Sequence, residues 1–169
     1  MWQCSAAPAT KTKGTITMLV KDIMTCGVRS VTPDTPLTEV VSLMCLNRYS
    51  GLPVADGTRL VGFVAEKDVL ARMFPSLDEL MSGMAAINLD ETMGRYKEVV
   101  QLSVSDVMTP DPITVSPDMH VLRAAAVMAR HKFRRIPVAS DGEIVGMLSL
   151  GDVHKAIFHA NFVTNFTPR

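Results

Sequence analysis

The feature that most constrains this chain is that its second half repeats its first at a constant spacing. Val20-Lys21-Asp22-Ile23-Met24-Thr25 returns as Val104-Ser105-Asp106-Val107-Met108-Thr109, and Val31-Thr32-Pro33-Asp34 returns as Val115-Ser116-Pro117-Asp118. Leu52-Pro53-Val54 returns as Ile136-Pro137-Val138, and Gly62 to Asp68 returns as Gly146 to Asp152, every pair 84 positions apart. A constant offset across separate blocks means a duplication. Two like units are expected to pack face to face with approximate two-fold symmetry. Any cleft between them would exist in two related copies.

Each copy reads as strand, helix, strand, strand, helix. In the first, Val28 to Val31 is extended and Thr32-Pro33-Asp34-Thr35-Pro36 is a turn. Asp34 or Thr35 is the expected helix cap, with Pro36 at the first helical position. Leu37, Val40, Val41 and Met44 then fall at i, i+3, i+4 and i+7, one apolar helix face, repeated by Val121, Ala124, Ala125 and Met128. Leu52-Pro53-Val54 opens a strand, Asp56-Gly57 is a hairpin turn signal, Leu60 to Val64 returns, and Ala65 to Met73 is helical. The fold class is α/β: each unit is a small mixed sheet with two helices on one face. The expected boundaries are a structureless leader over 1–18, a first unit over 19–73, a helical connector over 74–102, a second unit over 103–160 and a tail over 161–169. The connector carries a capping-box start at Ser76 to Glu79 and a second helical piece from Asp90 to Val100. Its methionines read as packing surface, because Met fills irregular gaps well.

The chain is 47% hydrophobic over 169 residues, enough to bury a core, and its formal net charge is zero. That balance argues against nucleic acid or an anionic membrane as the main partner. The apolar runs are shorter than the roughly 18 residues a membrane span needs. Met1 to Ala6 lacks a charged segment followed by an apolar one, so no export signal is expected. Cys4, Cys26 and Cys45 are odd in number and lack metal-ligand spacing, and are read as free thiols in a reducing cytoplasm. His120, His131, His154 and His159 form no zinc-like pattern; His154 and His159 read as surface or packing residues, and His120 as an exposed polar residue in a first helical turn. No nucleophile-elbow or phosphate-loop motif is present, and the two units use most of the chain. Binding without turnover, not an enzyme, is the expectation.

Within the repeat, Gly146-Met147-Leu148-Ser149-Leu150-Gly151-Asp152 reads as strand, tight corner, helix. Ser149 falls at the helix N-cap and Asp152 three residues on. A helix N-terminus suits an anion such as phosphate, and an ionised Asp suits paired donors such as a ribose diol. The same Ser-x-x-Asp is also a plain capping box, in which both side chains serve only the backbone.

The paired Asp-Ile-Met-Thr and Asp-Val-Met-Thr, the Pro-Val strands and the doubled Gly-x-x-[Ser/Ala]-x-x-Asp resemble a tandem pair of CBS domains, a Bateman module of the stand-alone bacterial type, over roughly 19–73 and 103–160. The resemblance implies an adenosine-containing ligand (AMP, ADP, ATP or S-adenosylmethionine) in the cleft between the two sheets, with no cofactor required. It implies Ser149 on phosphate, Asp152 on ribose, Thr114 beside the nucleoside, and the backbone at Arg135-Ile136-Pro137 along the adenine edge. The sites should differ, because Ala65 stands where Ser149 stands 84 residues later. The basic cluster His131-Lys132-Phe133-Arg134-Arg135 replaces Asn47-Arg48-Tyr49-Ser50-Gly51, and charged donors make the stronger hydrogen bonds. Strand alternation turns Arg134 and Arg135 to opposite faces, so one of them is expected to serve a phosphate. Ser30, Asp68 and Lys132 are further candidates. The tighter site is therefore expected in the second unit.

The leading function is a sensor of adenine nucleotides that acts on a protein partner. The alternatives are a structural or interaction module with an empty cleft, or a weak nucleic-acid binder through Lys132, Arg134 and Arg135. A homodimer through the long helices is expected, on the strength of Met44, Met128 and the Met-rich connector.

Overall fold

The computed structural model describes residues 10–12, 15–75, 81 and 88–162. Strands β1 (Thr10–Thr12) and β2 (Thr15–Thr17) pair antiparallel, within a stretch whose sequence shows no periodicity. A 3-10 turn follows at Val20–Asp22, then α1 (Leu37–Asn47), β3 (Gly51–Asp56), β4 (Arg59–Ala65) and α2 (Glu66–Ala71). Helix α3 (Leu89–Val99), a 3-10 turn at Val104–Asp106 and β5 (Thr109–Pro110) lead into α4 (Val121–Arg130), β6 (Arg135–Ser140), β7 (Glu143–Ser149) and α5 (Leu150–Phe162). The capping box expected at Ser76 to Glu79 lies outside the described residues.

The chain divides into two compact units, and they cut across the repeat. One comprises residues 29–112. Its core joins Leu37, Val40 and Met44 of α1 to Leu52, Val54 and Val64 of the hairpin, to Val69 of α2, and to Val104 and Val107 from the start of the second repeat. The other comprises residues up to Val28 together with Ile113 onward. Its core joins Val121, Ala124 and Met128 of α4 to Ile136, Val138 and Leu148 of the hairpin, to Val153 of α5, and to Val20 and Met24 from the start of the first repeat. Each repeat thus lends its opening turn to the unit built on the other repeat's hairpin. The backbone fixes the exchange: Val20 and Lys21 N–H donate to Met119 and Pro117 C=O, both at 2.9 Å, while Val104 and Ser105 donate to Thr35 and Pro33 at 3.0 and 2.9 Å.

The hairpins are copies in detail. Both carry a register shift one residue after the Pro-Val step, at Val54/Ala55 and Val138/Ala139. In each, a lone extended residue runs parallel to the outer strand, Val31 beside Val54 and Val115 beside Val138. Buried residues on alternate strand positions face the helices, so one sheet face is core and the other is not.

The helix starts differ from expectation. Pro36 is the N-cap of α1, with no side-chain cap bond, and neither Asp34 nor Thr35 caps it. The first N–H is satisfied from further along the chain, Leu37 donating to Leu102 C=O at 2.9 Å, so no capping side chain is needed. In the second unit Val121 N–H donates to Met18 C=O at 2.9 Å, and His120 is the N-cap, its ring Nδ1 accepting the Leu122 N–H at 3.2 Å. His120 is therefore a half-buried cap and not an exposed residue within the first turn. Met44 and Met128 are 2% and 0% exposed, so they are core side chains and cannot carry a dimer contact. Cys45 is free and exposed, whereas Cys26 is disulfide-bonded, which corrects the reading of three free thiols.

Candidate functional site

Gly146 precedes the corner of the motif. It lies within β7, where a Cβ would meet the Met24 sulfur and the Thr25 carbonyl, each at 2.9 Å. Thr25 and Met147 exchange backbone hydrogen bonds at 2.8 and 2.9 Å, and glycine is what lets that backbone approach. The corner falls at Ser149-Leu150, where β7 becomes α5.

At that corner the capping box is complete. Ser149 N–H and Oγ–H both donate to Asp152 Oδ2, at 3.2 and 2.6 Å, and Asp152 N–H donates to Ser149 Oγ at 3.1 Å. The other carboxylate oxygen of Asp152 has no hydrogen-bond partner among the described residues. The arrangement is general to the fold. Asp22, Asp68 and Asp106 each accept the N–H of the residue three before, Leu19 at 2.8 Å, Ala65 at 3.1 Å and Ser103 at 2.9 Å. Hydroxyls add to it only in the second repeat, where Ser103 Oγ also donates to Asp106 at 2.8 Å. Those bonds from Ser103 hold the Asp106 carboxyl below its ordinary range, against a small opposing effect of desolvation and with help from the Arg72 charge.

Strand register decides between the two arginines. Arg135 pairs directly with Ser149, and the Leu150 N–H donates to Arg134 C=O at 3.1 Å. A bond between the residues flanking a pair on that side marks a non-hydrogen-bonded pair, in which the side chains stand closest. Arg135 and Ser149 thus share the sheet face turned away from the helices, while Ile136 and Leu148 face the core at 0% exposure. Ile136 can meet a ligand only through its backbone. Arg134 precedes β6 and is exposed, so the register fixes the face of Arg135 alone.

Thr114 is exposed and adjoins Val115, whose N–H donates to Pro137 C=O at 3.1 Å. Val115 is buried beside Val138, which brings Thr114 next to the outer strand of the same hairpin as Arg135. Lys132 follows α4, one residue past its C-cap His131, with φ +57, a left-handed conformation that costs a non-glycine residue about 1–2 kcal/mol. Among the described residues Lys132, Arg134 and Arg135 make no ion pair. The structure therefore gathers Thr114, Lys132, Arg134, Arg135, Pro137, Ser149 and Asp152 in one unit, and places Ser30 and Asp68 in the other.

One residue was missed. Phe63 occupies the position of Met147, 84 residues earlier, and its ring lies over Gly51, the counterpart of Arg135. A Cβ on Gly51 would meet that ring at 2.6 and 2.9 Å. Extending the repeat comparison to the residues between the motif positions is the signal that could have found it.

These features define a duplicated α/β module in which a helix-capping carboxylate follows the end of each of two like hairpins. A model of the CBS domain matches residues 20–74 and 104–159, and the chain belongs to that family. It is 34% identical over 142 residues to CBSX1, a chloroplastic CBS domain-containing protein of Arabidopsis thaliana, covering 75% of this chain and 57% of that one. It is 29% identical to YhcV of Bacillus subtilis, covering 79% of this chain and 81% of that one. The crystal structure of CBSX2 from Arabidopsis thaliana in complex with AMP is similar at TM-score 0.65 and 32% identity, covering 84% of this chain and 97% of that one. The chain is thus a CBS-pair regulatory module. Among the described residues no group of three or more His, Cys, Asp or Glu could hold a metal ion, and no helix is long and apolar enough to cross a membrane.

Proposed function

We propose that this module binds an adenosine-containing ligand (AMP, ADP, ATP or S-adenosylmethionine) on the Arg135–Ser149 face, more tightly there than at the counterpart in residues 29–112. The observation that carries the reading is the cross-strand pairing of Arg135 with Ser149, one residue pair that offers a cation and a hydroxyl beside the half-open carboxylate of Asp152. The guanidinium donates to phosphate, the Ser149 hydroxyl joins it by turning its one proton from Asp152 Oδ2 to the phosphate, Asp152 accepts from the ribose diol, and Thr114 with the Arg135–Pro137 backbone borders the base. The AMP complex of a relative 32% identical supports the ligand class. The ligand regulates a protein partner by favouring one conformation of the module over another.

A thermal-shift panel tests this, because a ligand that prefers the native state must raise its melting temperature. AMP, ADP, ATP and S-adenosylmethionine are compared with guanosine and cytidine nucleotides. No shift with any adenosine ligand at millimolar concentration refutes the reading. A second reading, association of two copies through helix faces, gains support from Leu46 of α1 and Leu122 of α4, which are 82% and 57% exposed.

A further inference from the structure

We infer that the counterpart of the nucleotide site in residues 29–112 is closed by Phe63, so that each chain takes one phosphorylated ligand. The inference rests on the proposed function and goes beyond the loss of one hydroxyl at Ala65. Four positions of the hairpin share the face turned away from the helices at this end; proline is common to both units at 137 and 53, and the three that differ are 135, 147 and 149 in one unit and, 84 residues earlier, 51, 63 and 65 in the other. The first set is Arg, Met and Ser; the second is Gly, Phe and Ala.

The substitutions are coupled. Gly51 pairs with Ala65 as Arg135 pairs with Ser149, so a side chain at 51 would rise beside residue 65. Instead the Phe63 ring lies there, and even a methyl group on Gly51 would meet it at 2.6 Å. Van der Waals contact between carbons lies near 3.5–4.0 Å. The ring and an arginine cannot occupy that space together. Where one unit presents a guanidinium and a hydroxyl, the other presents an aromatic edge and a methyl. A phosphate placed there would lose water and gain no donor from these side chains, which is unfavourable for a charged group. Asp68 persists because its bond to the Ala65 N–H, at 3.1 Å, caps α2, a task independent of any ligand.

The test is calorimetric titration of the full chain with AMP, at concentrations that resolve the stoichiometry. Wild type is expected to take one equivalent, and Asp152→Asn to lose it. The triple variant Gly51→Arg/Phe63→Met/Ala65→Ser copies positions 135, 147 and 149 into the first hairpin and is expected to take two. Circular dichroism first establishes that the variants fold. Two equivalents in wild type, one equivalent retained by Asp152→Asn, or a triple variant that still takes only one would each overturn the inference. No heat from wild type with AMP, ATP or S-adenosylmethionine refutes the proposed function itself, a separate outcome.

Discussion

Ser149→Ala separates a cap from a ligand contact, because the two roles predict losses of different size in different assays. The folded chain loses the Asp152 N–H to Ser149 Oγ bond of 3.1 Å and the Ser149 Oγ to Asp152 bond of 2.6 Å. It keeps the backbone donor at position 149, whose bond to Asp152 is 3.2 Å. What remains is the geometry already present at Ala65 and Asp68, so the corner survives. Replacing a Ser cap by Ala costs typically about 1 kcal/mol. For a chain of this size that lowers the melting temperature by about 2–4 °C. If the bound state turns the Ser149 hydroxyl proton from Asp152 to a phosphate, the variant loses a charge-assisted bond of about 1.5–3 kcal/mol, or roughly ten- to hundred-fold in AMP affinity. Adenosine, which lacks the phosphate, is expected to bind wild type and variant alike. Differential scanning fluorimetry reads the first quantity and titration calorimetry the second. A variant melting a few degrees lower with unchanged AMP affinity would show that the hydroxyl is a cap and nothing more.

Ser103→Ala is expected to raise the Asp106 pKa toward the ordinary carboxylate value, read by NMR titration of the side-chain carboxyl, since the Ser103 bonds are the main cause of its depression. A depressed folded pKa contributes stability above the unfolded value and loses it as pH falls through the folded value, so the variant should also show a shallower loss of stability in acid; an unmoved Asp106 refutes the assignment. Gly146→Ala should destabilise by about 1–3 kcal/mol in urea unfolding, because its methyl meets the Met24 sulfur and the Thr25 carbonyl at 2.9 Å. Gly94→Ala, in α3 with nothing within 4 Å of the new methyl, should stabilise by about 0.5–1 kcal/mol, and the same sign for both would contradict the packing described. Light scattering is expected to give a dimer that Leu46→Glu and Leu122→Glu dissociate; a monomer in wild type at micromolar concentration removes that reading.

How much of this could be read from the chain depends on what a repeat encodes. The helix face of Leu37, Val40 and Met44, both hairpins and the Ser149–Asp152 corner follow from local periodicity and spacing, and each lies close to its expected place. The helix caps do not, because Leu37 and Val121 find acceptors at Leu102 and Met18, far away in sequence. The exchange of opening turns is hidden for a deeper reason. Val20 and Val104 are the same residue in matching contexts, and both are fully buried. Either could fill either core at similar energetic gain, so a duplicated pattern is nearly unchanged when the two are swapped. What differs between the copies is what breaks that symmetry. Lys21, whose counterpart is Ser105, reaches Asp118 at 2.6 Å and so favours the unit it joins, though an exposed pair of this kind contributes little. The asymmetry in the candidate site was half legible for the same reason. Ala65 against Ser149 stands at a motif position, where one expects to compare the copies. Gly51 and Phe63 stand beside it on opposite strands, and only the register that pairs them with Ala65 and Pro53 reveals that one fills the space the other leaves.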